Sequence, residues 1–194
     1  MLDKNSIVPS GLKEASFKNF TVTNQIDQKA KNYALRLVSH YLHDGKGNAL
    51  IMGKAGRGKS HLAMAVASKL NADWKANKQP KSILFINLPA LFIKIQNSFN
   101  RKEGMTSNEW LELLKKVDYL ILDDLGRSDN AQWKQDFLYS LLDEREATII
   151  TTNLVGSEMK SLFETGLVSR ITKGGRDLYF KYPDKAEDRR KLPF

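Results

Sequence analysis

The sequence predicts an α/β fold, a parallel sheet of about five strands between helices and built around a phosphate-binding loop. Three observations predict it. Residues 53–60 read Gly53-Lys54-Ala55-Gly56-Arg57-Gly58-Lys59-Ser60, a full G-x-x-x-x-G-K-[ST] loop. Short apolar runs alternate with helical spacings along the chain, the pattern of strands joined by crossover helices. One apolar run, Leu120-Ile121-Leu122, ends in Asp123-Asp124, which is costly in a core strand unless the acids emerge at the edge where such sheets bind ligands.

Residues 1–16 are polar, lack periodicity and contain Pro9 and Gly11, so they read as an N-terminal arm or disordered leader before a domain spanning 17–194. From Thr23 or Asn24 to His43 the positions Ala30, Ala34, Leu35, Leu37, Val38, Tyr41 and Leu42 follow a helical spacing. Asn48–Met52 is a short apolar run entered through the turn-like Asp44-Gly45-Lys46-Gly47, a buried parallel strand that leads into the loop. The loop opens into His61–Leu70, rich in Ala and Leu and so a good helix former. A lysine-bearing linker precedes the second strand, Ser82–Asn87.

Two helical patterns follow, Pro89–Asn100 and Ser107–Lys116, where a minimal phosphate-loop fold needs one helix. They form an extra helical insertion between strands 2 and 3. Strand, helix and strand then recur as Tyr119–Asp123, Gln132–Arg145 and Ala147–Thr152, followed by helices at Ser157–Phe163 and around Val168–Ile171 and a strand-like Leu178–Tyr182.

The 194 residues include no Cys, which excludes a disulfide framework, a thiolate nucleophile and Cys-based zinc. No signal peptide or membrane-length apolar stretch is present, so a cytoplasmic protein with no membrane partner is expected. A formal net charge of +9 suits a polyanion such as DNA or RNA, although a basic soluble protein has the same charge.

The loop dictates nucleotide chemistry. Its glycines let successive N–H groups point at phosphate oxygens, Lys59 reaches the β/γ-phosphates, and the Ser60 hydroxyl ligates Mg²⁺. Asp123 is the expected Mg²⁺ partner, and Asp124 the base that polarises attacking water, unless it merely caps the next segment. Asn153 follows the strand Ala147–Thr152, where its amide can hold the γ-phosphate or the water; an ordinary turn asparagine is the alternative.

The loop followed by His61-Leu62-Ala63, the strand end Leu122-Asp123-Asp124-Leu125-Gly126, the run Thr148-Ile149-Ile150-Thr151-Thr152-Asn153-Leu154 and Ser169-Arg170-Ile171 together resemble the AAA+ ATPases of the DnaC/DnaI helicase-loader and IstB transposition-helper group. The likeness covers about residues 17–190. It implies ATP or ADP with Mg²⁺ held along Gly53, Lys54, Ala55, Gly56, Arg57, Gly58, Lys59, Ser60 and His61. It makes Asp123 and Asp124 the Walker B acids and Asn153 the sensor-1 residue. It casts Arg170 as an arginine finger reaching a neighbouring subunit's site, or else a surface arginine on a short helix. Arg189, with Arg190 beside it, resembles the sensor-2 arginine, with a solvated basic tail as the alternative. Phe17 and Phe20 resemble the strap closing the adenine pocket, or are plain core anchors.

The resemblance also implies single-stranded DNA contact by the insertion. Lys94, Arg101, Lys102, Lys115 and Lys116 give it a basic side, and Phe99 or Trp110 could stack on a base. In the alternative, Phe92, Ile93, Ile95, Phe99, Trp110, Leu111 and Leu114 are packing residues and the lysines a solvated face.

Two departures stand out. Asp124 replaces the more usual Glu, which implies slow hydrolysis. Only residues 1–16 precede the resemblance, where loaders carry a helicase-gripping domain, so the chain is expected to be an isolated ATPase domain or a short phage-type form. The leading expectation is an ATP-dependent homo-oligomer loading a replicative helicase onto single-stranded DNA. A transposition helper acting with a transposase is the close alternative, a phosphate-loop small-molecule kinase a distant one, and a non-catalytic DNA-binding module the third.

Overall fold

The computed structural model describes residues 4–101, 104–186, 188 and 189, with residues 100, 101 and 127 described by backbone alone. Lys102 and Arg190 of the expected basic positions, and the Arg101 side chain, lie outside what is described. Five strands, β1 (Gly47–Met52), β2 (Ile83–Asn87), β3 (Tyr119–Leu125), β4 (Ala147–Thr152) and β5 (Tyr179–Lys181), form one sheet in the order β2-β3-β4-β1-β5. Every pairing is parallel, with Gly47 opposite Ala147, Ile83 opposite Tyr119 and Leu120 opposite Thr148. All strand C-termini therefore meet at one rim.

Strand side chains alternate between faces, and the two faces feed two cores. Ala49, Ile51, Phe85, Ile121 and Ile149 pack beneath α1 (Gln25–Leu42) and α2 (Lys59–Ala76). Leu50, Leu84, Leu120, Leu122 and Ile150 pack on the opposite side beneath α3 (Leu88–Arg101), α4 (Ser107–Lys116), α5 (Gln132–Glu144), α6 (Gly156–Leu162) and α7 (Thr165–Ile171). Burial on both faces explains why the strands read as continuous apolar runs.

Local chemistry sets the helix ends. The Asn24 side chain accepts the Asp27 amide at 2.9 Å and starts α1, while Thr106 and Glu109 close a reciprocal capping box on α4. Arg145, buried between α5 and β4, donates to the carbonyls of Leu114, Val117 and Ala147, each at 2.8 Å. It thereby ties the end of α4 to the starts of β3 and β4. Burial lowers its pKa to about 10, so it stays charged at neutral pH.

Within the N-terminal arm Ile7 meets the sheet edge, while Val8, Leu12 and Ala15 pack against the core beneath α1 and α2. Ile7 bridges β2, its N–H donating to Phe85 O at 2.7 Å and its carbonyl accepting from Asn87 N at 3.0 Å. A single bridge requires no periodicity, so composition alone did not reveal it. In the insertion, Phe92, Ile95, Trp110 and Leu114 are buried, so Trp110 is a packing residue and is not available to stack on a base. Ile93 and Phe99 are 57% and 63% exposed, against the alternative in which both are packing residues.

Candidate nucleotide site

The phosphate loop occupies the C-terminal rim, between β1 and α2. Gly58 has φ +83°, a left-handed conformation that suits glycine, and leads straight into α2 with no side chain capping the helix start. The first-turn amides of α2 are thus presented to an anion, with the helix dipole behind them. Lys59 is buried, and its Nζ donates to Lys54 O at 3.0 Å and to Asn153 Oδ1 at 2.6 Å. The Asn153 amide donates in turn to Asp124 Oδ1 at 3.1 Å. Lys59, Asn153 and Asp124 thus form one continuous hydrogen-bonded relay that joins the loop, the end of β4 and β3.

Asp123 lies beneath that relay and is 2% exposed. Burial raises its pKa, opposed by hydrogen bonds from Ser60, Thr151 and Asn87. Thr151 Oγ1 lies 2.8 Å from one carboxylate oxygen and Asn87 Nδ2 lies 3.4 Å from the other. A hydroxyl and a carboxylate side by side are hard oxygen donors. Mg²⁺ binds through one or two carboxylates plus nucleotide phosphates rather than through an all-protein cage. Ser60 and Asp123, joined by a hydrogen bond, are a donor set of the kind that fits Mg²⁺ arriving with a nucleotide.

The N-terminal strap and the C-terminal segment cover the outside of the loop. The Phe20 ring meets His61 edge-on with centroids 5.3 Å apart, and the His61 ring nitrogen Nε2 lies 3.0 Å from Ser16 O. The Arg189 guanidinium sits 4.3 Å from the Phe20 centroid, pairs with Asp27 at 2.6 Å, and also bonds Thr21 O. Arg189 N donates to Gly56 O at 2.7 Å. Each loop glycine is closely approached: a Cβ would fall 2.7 Å from Tyr182 Cβ at Gly53, 1.8 Å from Asp188 Oδ1 at Gly56 and 3.1 Å from Phe20 at Gly58. Phe17 is half-buried against the core beneath α1 and α2.

Arg170 stands apart from these groups. Its carbonyl accepts from Asn48 Nδ2 at 2.7 Å, at the start of β1, and its guanidinium holds Asp143 at 2.7 Å and Tyr139 Oη at 3.0 Å. Five residues of strand, about 16 Å at the usual rise, separate that point from Gly53.

Comparison with known proteins places this geometry. Residues 9–171 match the family described as "IstB-like ATP binding protein". The chain belongs to this family. Within it, the chain is 28% identical to YdaV of Escherichia coli K12 over 94% of its own length and 71% of that protein. It is 25% identical to the replicative helicase loader DnaC of Buchnera aphidicola from Baizongia pistaciae, over 85% of the chain and 68% of that protein. A crystal structure of DnaI superposes with a TM-score of 0.67 at 26% identity, covering 95% of each chain. The IstB-like chain thus has the AAA+ form of the phosphate-loop fold, an ATP-binding architecture shared with helicase loaders.

Three polar residues of the site were not singled out from sequence. Asn87 ends β2 and stands opposite Asp123 of β3 in register. A polar residue closing an apolar strand was the available signal. Thr151 carried a similar signal, a hydroxyl at the end of the apolar run in β4. Asp27, the partner of Arg189, carried none, because the pairing spans most of the chain.

Proposed function

We propose that this chain is a slow ATPase that assembles through ATP into a homo-oligomer and loads a replicative helicase onto single-stranded DNA. The relay Lys59–Asn153–Asp124 carries the reading. It joins the lysine that meets the β/γ-phosphates to the carboxylate that polarises water, so phosphate arrival at Lys59 alters the hydrogen bonding of Asp124. Ser60 and Asp123 would hold Mg²⁺, which supplies charge neutralisation between the phosphates. Arg189 and Phe20 cover the loop on the nucleotide-base side, and Arg170 acts on the neighbour's nucleotide. Phe99, Ile93 and Lys94 are all exposed on α3, which leaves apolar and basic side chains there for single-stranded DNA.

The likeness to DnaC and DnaI supports the helicase as partner, and no helix among the described residues is long and apolar enough to cross a membrane. The family description favours a second reading, a transposition helper acting with a transposase. Immobilised chain charged with ATP decides between them. Retention of a replicative helicase supports the loader, retention of a transposase alone supports the helper, and retention of neither removes both partners. ATP turnover without any acceptor molecule separates both readings from a kinase.

A further inference from the structure

The two acids of the site are adjacent in sequence, and in a regular strand adjacent side chains point to opposite faces. Here both join one hydrogen-bonded network. The register between β3 and β4 accounts for this: Leu122 pairs with Ile150 and Leu125 with Thr152, so β3 takes three steps where β4 takes two. Asp123 and Asp124 together face Thr151. This is a β-bulge, and it bends the strand and re-aims a side chain. Asp124 takes φ +65°, a left-handed conformation uncommon for a residue with a side chain.

A bulge leaves one residue outside the backbone ladder. The Asp124 amide is bonded instead by the Thr151 hydroxyl oxygen at 2.9 Å, and the same hydroxyl donates to Asp123 Oδ1 at 2.8 Å. Thr151 is fully buried. The next residues of β4 continue the pattern: Thr152 Oγ1 donates to Leu125 O at 2.7 Å, and Asn153 holds the Asp124 carboxylate. The end of β4 therefore serves as a template on which the irregular end of β3 is laid.

We propose that Thr151 is a positioning residue for both carboxylates, its single hydroxyl accepting from the Asp124 amide while donating to the Asp123 side chain. It fixes the bulge that turns the water-side acid and the metal-side acid into one site. The inference rests on the ATP and Mg²⁺ reading above. Valine matches threonine in shape but can neither donate nor accept; serine does both.

The test is binding of a fluorescent ATP analogue to the whole chain, titrated with Mg²⁺ and repeated in EDTA. Thr151→Val is expected to bind the analogue normally in EDTA. The Mg²⁺ concentration giving half-maximal strengthening should rise about tenfold, the scale set by one buried amide left without its acceptor. Thr151→Ser should restore the unmodified value. Loss of affinity by Thr151→Val equally with and without Mg²⁺ would mean a merely structural role and overturns the inference, as does an unchanged Mg²⁺ titration. If the unmodified chain itself shows no Mg²⁺-dependent binding, the function reading fails and the inference falls with it; an indifferent Thr151→Val beside a responsive unmodified chain sinks the inference alone. Should Thr151→Val not fold, amide hydrogen exchange on the unmodified chain decides. Protection of the Asp124 N–H to the level of its β3 neighbours supports the proposal, and exchange at an unprotected rate overturns it.

Discussion

Asp123 shows at the scale of one residue how a binding site works against the fold that carries it. Burial raises its pKa, so the folded state favours the protonated carboxyl. That preference costs nothing below the ordinary carboxylate range, and the penalty grows as pH rises through the folded value. Asp123→Asn removes the charge while keeping the size. At neutral pH the nucleotide-free variant should melt about 2–4 °C above the unmodified chain, corresponding to roughly 1 kcal/mol. With ATP and Mg²⁺ the order should reverse, since the unmodified chain gains more from the ligands than a variant without the metal-side carboxylate. Thermal melts with and without the ligands check this, and identical ligand-free melts would mean the buried charge carries no penalty.

Among the elements, the phosphate loop and the C-terminal segment depend on each other. Gly56 has φ +74°, and a Cβ there would collide with the Asp188 carboxylate. Gly56→Ala should therefore cost about 1–2 kcal/mol in backbone strain alone and displace the Asp188 carboxylate from the loop. Faster trypsin cleavage after Lys185 is the expected readout, and cleavage at the unmodified rate would show that the segment does not need this glycine. The same element scale explains what could be read from sequence. Apolar runs and helical spacings gave the strands and helices to within a few residues at most ends, because burial on both sheet faces and capping by Asn24 or Thr106 leave local signatures. The continuation of β3 to Leu125 was missed, since a bulge held by Thr151 depends on a strand twenty-odd residues away. The loop and both acids were visible as motifs. Their fastening by Asn87, Thr151 and the Asp27–Arg189 pair was not, because those contacts join distant segments through ordinary polar residues.

For the whole molecule, the deciding feature is that the phosphate loop and Arg170 lie at opposite rims of a parallel sheet. On the proposed trans role, Arg170→Ala should leave ATP binding intact and lower hydrolysis by on the order of 10³-fold, the scale of losing an arginine finger. Lys59→Ala should fail at binding. Mixing the two inactive variants should restore part of the hydrolysis, because an intact loop on one copy can meet an intact Arg170 on the other. Steady-state phosphate release across mixing ratios measures this; no recovery at any ratio would remove the trans role. A row of copies joined loop to finger has no two-fold symmetry, so every member points the same way and the row possesses a head and a tail. Unless it closes into a ring, one terminal loop always lacks a finger and one terminal finger lacks a loop. Such a row has the directionality of a nucleic-acid strand, whose two ends also differ, and its growing and shrinking ends are chemically distinct.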